Sequence, residues 1–145
     1  MPTFDWNHDD HGISDPQWEY VKSTILERKL TGFFMFQLEI PAELGTVPCA
    51  LYGPEMGDEP IGDDQVTMGN RGDRGWGDRL LMGQPMRESS FVQVIGMKLP
   101  GDVYKIFTIY GGPAAPQNPA DPSCKDPEYS KAWWNDHALA TGVKK

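Results

Sequence analysis

Cysteine is scarce: Cys49 and Cys124 are the only two, and they stand far apart. Two thiols make no disulfide framework, although a single bridge between them remains open. The chain is therefore read as reduced and cytoplasmic. It holds no apolar run of membrane-spanning length, so no membrane role is expected. Its opening residues, MPTFDWNHDDHG, are polar and lack the apolar stretch of a secretory signal. The common catalytic signatures are missing too. There is no Gly-x-Ser-x-Gly elbow, no Cys-x-x-Cys pair and no His-Glu-x-x-His helix. Positive charge is in deficit, with 13 Lys and Arg against 21 Asp and Glu, a formal net charge of −8. Duplex nucleic acid needs its phosphates neutralised, so this balance argues against it as a partner.

What is present fits one α+β domain over 1–145, with a mobile polar start at 1–12 and a frayed tail at 143–145. At 145 residues and 39% hydrophobic content, the chain can build a core without staples. Sixteen glycines and 13 prolines imply short elements joined by many loops. The spacing predicts a mostly antiparallel sheet of four to six strands, with an N-terminal and a C-terminal helix packed against it.

The centre of that sheet is a hairpin. Two β-branched runs, 91–98 and 103–110, flank Pro100-Gly101-Asp102. Proline presets the first inner turn position and glycine accepts positive φ at the next. The face assignment of the second run is ambiguous. Tyr104, Ile106, Thr108 and Tyr110 alternate with Val103, Lys105, Phe107 and Ile109, and Lys105 argues that the latter set faces partly outward or lies beneath a helix.

A helix is expected to start at Ser14, with Gln17 completing a capping box and Ile13 and Trp18 forming a hydrophobic staple. Trp18, Val21, Ile25, Leu26 and Leu30 make its apolar stripe, and Gly32 ends it. A strand follows over 33–40, with Phe34, Phe36, Leu38 and Ile40 on one face. Thr46 to Tyr52 reads as a second strand edged by Pro48. The section 53–85 is rich in Gly, Asp and Arg, and reads as a long loop beside a functional groove. The C-terminal helix is capped by Asp126, begins at Pro127 and is expected to stop at Gly142. Spacing by four places Tyr129, Trp133 and His137 on one face of it. Of Trp133 and Trp134, one should pack while the other lies over a loop.

Two functional readings follow. The first is a small soluble binding or accessory protein with an aromatic-rimmed groove. Trp76, Ser89, Gly111, Gly112 and Trp134 are its candidate ligand-binding residues, with the 111–120 loop beside them. The partner is an unidentified protein or small molecule. The second is a small metal-independent hydrolase. There His137 moves the proton, Arg87 clamps an anion and Tyr110 orients or donates. RNA enters as a partner only under this second reading. Arginine, histidine and hydroxyl residues on one sheet face resemble the architecture of compact α+β ribonuclease domains, without a diagnostic motif.

The plainer readings are structural. Arg71, Arg74, Arg79 and Arg87 serve as solvated loop arginines paired with Asp73, Asp78 and Glu88, with anion binding as the alternative. His8 and His11 belong to a solvated tail, with a site ligand from either as the alternative. Ser89, Ser90 and the Gly111-Gly112 amides make ordinary hairpin-end hydrogen bonds. No cofactor and no metal site are expected. The glycine-rich 69–75 section lacks the Lys-Ser ending of a phosphate loop, and Asp58–Asp64 lacks the spacing of a calcium loop.

Overall fold

A computed structural model of the protein describes residues 2–6, 12–70 and 77–140. His8, His11, Arg71, Asp73, Arg74, Trp76, Gly142 and the 143–145 tail lie outside the described residues. The described elements run in the order β1 (Thr3–Asp5), α1 (Asp15–Arg28), β2 (Phe33–Glu39), β3 (Val47–Cys49), β4 (Leu51–Tyr52), β5 (Val66–Asn70), β6 (Gly77–Leu81), β7 (Arg87–Ser89), β8 (Phe91–Leu99), β9 (Val103–Gly111), α2 (Pro127–Asn135) and β10 (Ala138–Ala140). The fold is α+β, with mixed parallel and antiparallel pairing and a helix toward each end of the chain. The chain divides into two compact units, Met1–Cys49 with Glu88–Gly112 and Ala50–Arg87 with Pro113–Lys145.

The first unit carries the four-stranded sheet β1-β9-β8-β2. Its β8–β9 hairpin turns through Pro100, Gly101 and Asp102, with Leu99 opposite Val103. Both Gly101 (φ 79°) and Asp102 (φ 63°) are left-handed, a conformation asparagine and aspartate tolerate better than most residues. A β-bulge resolves the ambiguous face of β9. Ile95 pairs with Thr108 and Gly96 with Ile106, so Phe107 is the extra residue. One extra residue reverses the alternation. Tyr104 and Ile106 therefore point into the core before the bulge, and Ile109 and Gly111 after it. Lys105 and Phe107 are exposed, as Lys105 indicated, but Ile109 is buried. Gly96 is needed at this spot, because a Cβ there would lie 2.7 Å from the Lys105 carbonyl and 2.9 Å from the Phe34 ring.

Helix α1 lies on this sheet. Both halves of the Ser14–Gln17 capping box are present. Trp18, Val21 and Ile25 join Ile13, Phe34, Leu38, Val92, Val94 and Ile106 in the core. One expectation is corrected here: Leu26 is exposed rather than part of the buried stripe. Beyond its capping role, Gln17 takes a buried place, donating to the Leu44 and Thr46 carbonyls. The helix also stops before Gly32: Lys29 is the left-handed C-cap, with φ 52°.

The polar start is not wholly a tail. Thr3–Asp5 pairs in parallel with Val103–Lys105. Phe4 stacks on Tyr104 at 4.9 Å and meets Trp18 edge-on at 5.7 Å. Aromatic burial outweighs the polarity of the surrounding residues.

The second unit carries the sheet β4-β10-β6-β5. The section read as a long loop contains an antiparallel pair, with Val66 opposite Leu81 and Asn70 opposite Gly77. The C-terminal helix ends at Asn135, well short of Gly142, because Ala138–Ala140 is taken up as a strand. β10 pairs antiparallel with β4 and parallel with β6. Its core is small: Tyr52, Leu81 and Ala138, with Ile61, Val66 and Ala140 against them.

Candidate functional site

The chemistry-bearing side chains of the second unit converge on one turn. Residues 53–58 wind through a short 3₁₀ segment over Pro54–Met56, closed by Gly57 in the left-handed region at φ 83°. Glu55 and Asp58 project from this turn in different directions. Glu55 pairs with His137. Asp58 pairs with Arg87 and also accepts the Gly53 N–H at 2.9 Å.

His137 is 3% exposed and lies between α2 and β10, not within the helix. The four-residue spacing still acts, since its ring lies flat on Trp133 at 3.5 Å and 3°. Its Nδ1 is 2.6 Å from the Trp133 carbonyl oxygen and its Nε2 meets Glu55, so both ring nitrogens have partners. Gly53 brings the backbone against this ring. Tyr129, expected on the same face, is exposed.

Arg87 holds a second position. Its guanidinium lies 3.9 Å from the centre of the Tyr52 ring, and the Tyr52 hydroxyl donates to the Pro85 carbonyl at 2.6 Å. Beside them opens a cleft of about 300 Å³, lined by Tyr52, Asp58, Ile61, Gln65, Leu81, Gln84 and Arg87 among others. The lining combines apolar side chains with two amides, the Asp58–Arg87 pair and the carboxylate of Glu59.

Arg79 is committed to structure. Its Nε donates to the His137 carbonyl at 3.1 Å, and its Nη2 donates to the carbonyls of Ile61 (3.1 Å) and Asn135 (3.0 Å). It draws together the 61 loop and the end of α2, where backbone carbonyls lack helical partners.

The electrostatics follow from the pairs. The hydrogen bond from His137 holds the Glu55 carboxyl below its ordinary range, against a smaller opposing effect of burial. Burial pushes Asp58 up, but the Arg87 hydrogen bond, the Gly53 N–H and the arginine charge together hold it down. Asp58 in turn raises Arg87. Carboxylates held low stabilise the fold above their ordinary range and lose that contribution as pH falls through their folded values. The melting temperature should therefore fall as the pH drops below about 4. A double variant, Glu55→Gln with Asp58→Asn, should show a shallower fall over the same range by circular dichroism. Equal slopes would remove these two groups from the acid response.

The remaining predicted residues belong to other elements. Tyr110 belongs to the first unit, half-buried opposite Gln93. Ser89, Gly111 and Gly112 gather at the open end of the hairpin, as the topology implied. The Ser89 hydroxyl exchanges hydrogen bonds with the Phe91 backbone. The Gly112 N–H donates to the Phe91 carbonyl, and its carbonyl accepts from Gln93 Nε2. At Gly111 a Cβ would lie 2.7 Å from the Pro48 carbonyl oxygen and 3.2 Å from the Ser89 Cβ. Trp134, in the second unit, is half-buried; its Nε1 donates to the Pro116 carbonyl at 3.1 Å and its ring meets Trp133 edge-on.

Cys49 is buried, Cys124 half-buried, and both are free thiols. No group of three His, Cys, Asp or Glu side chains suited to a metal ion occurs among the described residues. No described helix is long and apolar enough to cross a membrane.

Sequence reasoning singled out Arg87 and His137 but missed Tyr52, Glu55, Asp58 and Ile61. Their partnerships span up to 82 residues, and no local pattern marks them. No protein-family model, curated protein or solved structure matches this chain.

Proposed function

We propose that the protein binds a small, electrically neutral ligand with a flat apolar face and a hydrogen-bonding edge, in the cleft beside Arg87. The supporting observation is the lining. Ile61, Leu81 and the Tyr52 ring supply apolar surface, Gln65 and Gln84 supply amide donors and acceptors, and the carboxylate of Glu59 disfavours an anion. The positive charge of Arg87 is already met by Asp58 and its face by Tyr52. An anion is therefore not required, and a volume of about 300 Å³ suits a fragment-sized molecule. The binding reading is preferred to the hydrolase reading with Arg87, Tyr110 and His137. The His137 ring is buried and both its nitrogens are engaged, which leaves it poorly placed to exchange protons with a substrate.

The test is a set of neutral heteroaromatic amides titrated into ¹⁵N-labelled protein. Hits should shift the amides of 58–61 and 81–87, and Gln84→Trp, a surface change that fills the cleft, should abolish the shifts. Hits that survive this substitution, or shifts confined to other regions, would sink the proposal.

A further inference from the structure

Strand β2 is the outer strand of its sheet, and β8 is its one strand neighbour among the described residues. The ladder fixes which backbone groups are spent. Lys98 donates to the Gly32 carbonyl at 2.9 Å, and Ile40 donates to the Ser90 carbonyl at 2.8 Å. In an antiparallel pair, such bonded positions recur every second residue. The N–H and C=O groups of residues 34, 36 and 38 thus face β8, and those of Phe33, Met35 and Gln37 face outward. Natural edges are usually blunted by lysine, proline or a bulge. β2, with the sequence FFMFQLE, carries none of these, and its one charge is Glu39 at the far end.

The side chains beside this edge are unusual as well. Phe33 is 59% exposed, Met35 48% and Phe107 45%. Phe33 and Phe107 stack at 6.3 Å on the sheet face away from α1. On the helix side, the Arg28 guanidinium lies over the Phe36 ring at 4.3 Å. Lys105, opposite Met97 and so in the row of Phe33, is exposed on the outer face. Lys105 stands on β9 opposite Asp5 of β1, so in a chain of net charge −8 Arg28 is the cationic group beside the β2 edge itself.

We infer that β2 accepts an extended peptide as an added strand, and that the peptide alternates apolar and acidic residues. Period-two geometry sets the pattern. Side chains opposite Phe33 and Met35 join the outer apolar face, so they are apolar. The residue opposite Phe36 points to the helix side, where Arg28 meets a carboxylate. Main-chain hydrogen bonds supply affinity, and alternate side chains supply selectivity. A second copy of this chain is a poorer occupant. Antiparallel pairing of β2 about Phe36 would set Arg28 against its own counterpart. The inference concerns the first unit and stands independently of the cleft.

The experiment titrates the capped hexapeptide Glu-Val-Glu-Val-Glu-Val into the ¹⁵N-labelled full chain. Its counterpart with lysine in place of glutamate is titrated in parallel. Shifts should centre on residues 33–39, with the acidic peptide at least about tenfold tighter. Met35→Pro removes an outward N–H and no ladder bond to β8, so it should abolish binding while leaving the melting curve near wild type. Should that variant fail to fold, Arg28→Glu carries the test by reversing the preference toward the lysine peptide. Equal binding of both peptides overturns the inference. So does a concentration-dependent dimer in light scattering that Met35→Pro dissolves, since β2 then serves a second copy. Binding to anionic vesicles with no response to either peptide overturns it too.

Discussion

Gly53→Ala should destabilise the protein by about 3 kcal/mol, the upper end for overpacking. The added Cβ would lie 2.8 Å from both Cγ and Nε2 of His137, with Cδ2 nearer still. The backbone of Gly53 is extended, so the cost is steric and not conformational. The imidazole has nowhere to retreat. Trp133 backs it at 3.5 Å, and its two nitrogens are held by the Trp133 carbonyl and Glu55. A double-mutant cycle isolates the clash. In a His137→Ala background, Gly53→Ala should cost less than about 1 kcal/mol, because contacting residues couple. Chemical denaturation measures all four corners. Equal costs in the two backgrounds would show that the methyl group and the ring do not collide.

Arg79→Met should cost about 3 kcal/mol, since it strips donors from partly buried carbonyls while keeping most of the apolar stem. This guanidinium donates to the carbonyls of His137 and Ile61 at partly buried contacts and to that of Asn135 at an exposed one. Hydrogen exchange should report the loss at residues 135–140 first. Arg79→Lys should recover less than half of it, because a compact ammonium cannot match the planar fork that spans several acceptors. A lysine variant as stable as wild type would mean that charge alone, rather than geometry, holds this corner.

The parts of the fold legible in the sequence are those decided within a few residues. Ser14 and Gln17 are three apart and form their box; Pro100-Gly101-Asp102 forms its turn. Phe34 and Leu38 are buried on the face that alternation assigns them. What escaped the sequence depends on partners far along the chain. Thr3–Asp5 has no strand signature of its own and becomes a strand through β9. Ala138–Ala140 has good helix propensity but lies between β4 and β6, where sheet pairing overrides it. The parity of β9 could not be read because Phe107 is an inserted residue that only the β8 register exposes. The candidate site follows the same rule. Chemistry alone drew attention to Arg87 and His137. That both lean on the single turn at 53–58 depends on contacts 29 and 82 residues away in sequence.

The two compact units are interleaved along the chain, and this bears on biosynthesis. The first draws on residues up to Gly112, the second on both 50–87 and the section from Pro113 onward. Neither can close while its later segment is still inside the ribosome. β1 emerges early yet finds its partner only when Val103–Lys105 appears, and joining ends so far apart carries a loop-closure cost that local helices avoid. Until then Phe4, Trp6 and the apolar side of α1 remain uncovered on the nascent chain. A stalled or truncated product lacking β9 would thus present aromatic surface to chaperones and proteases.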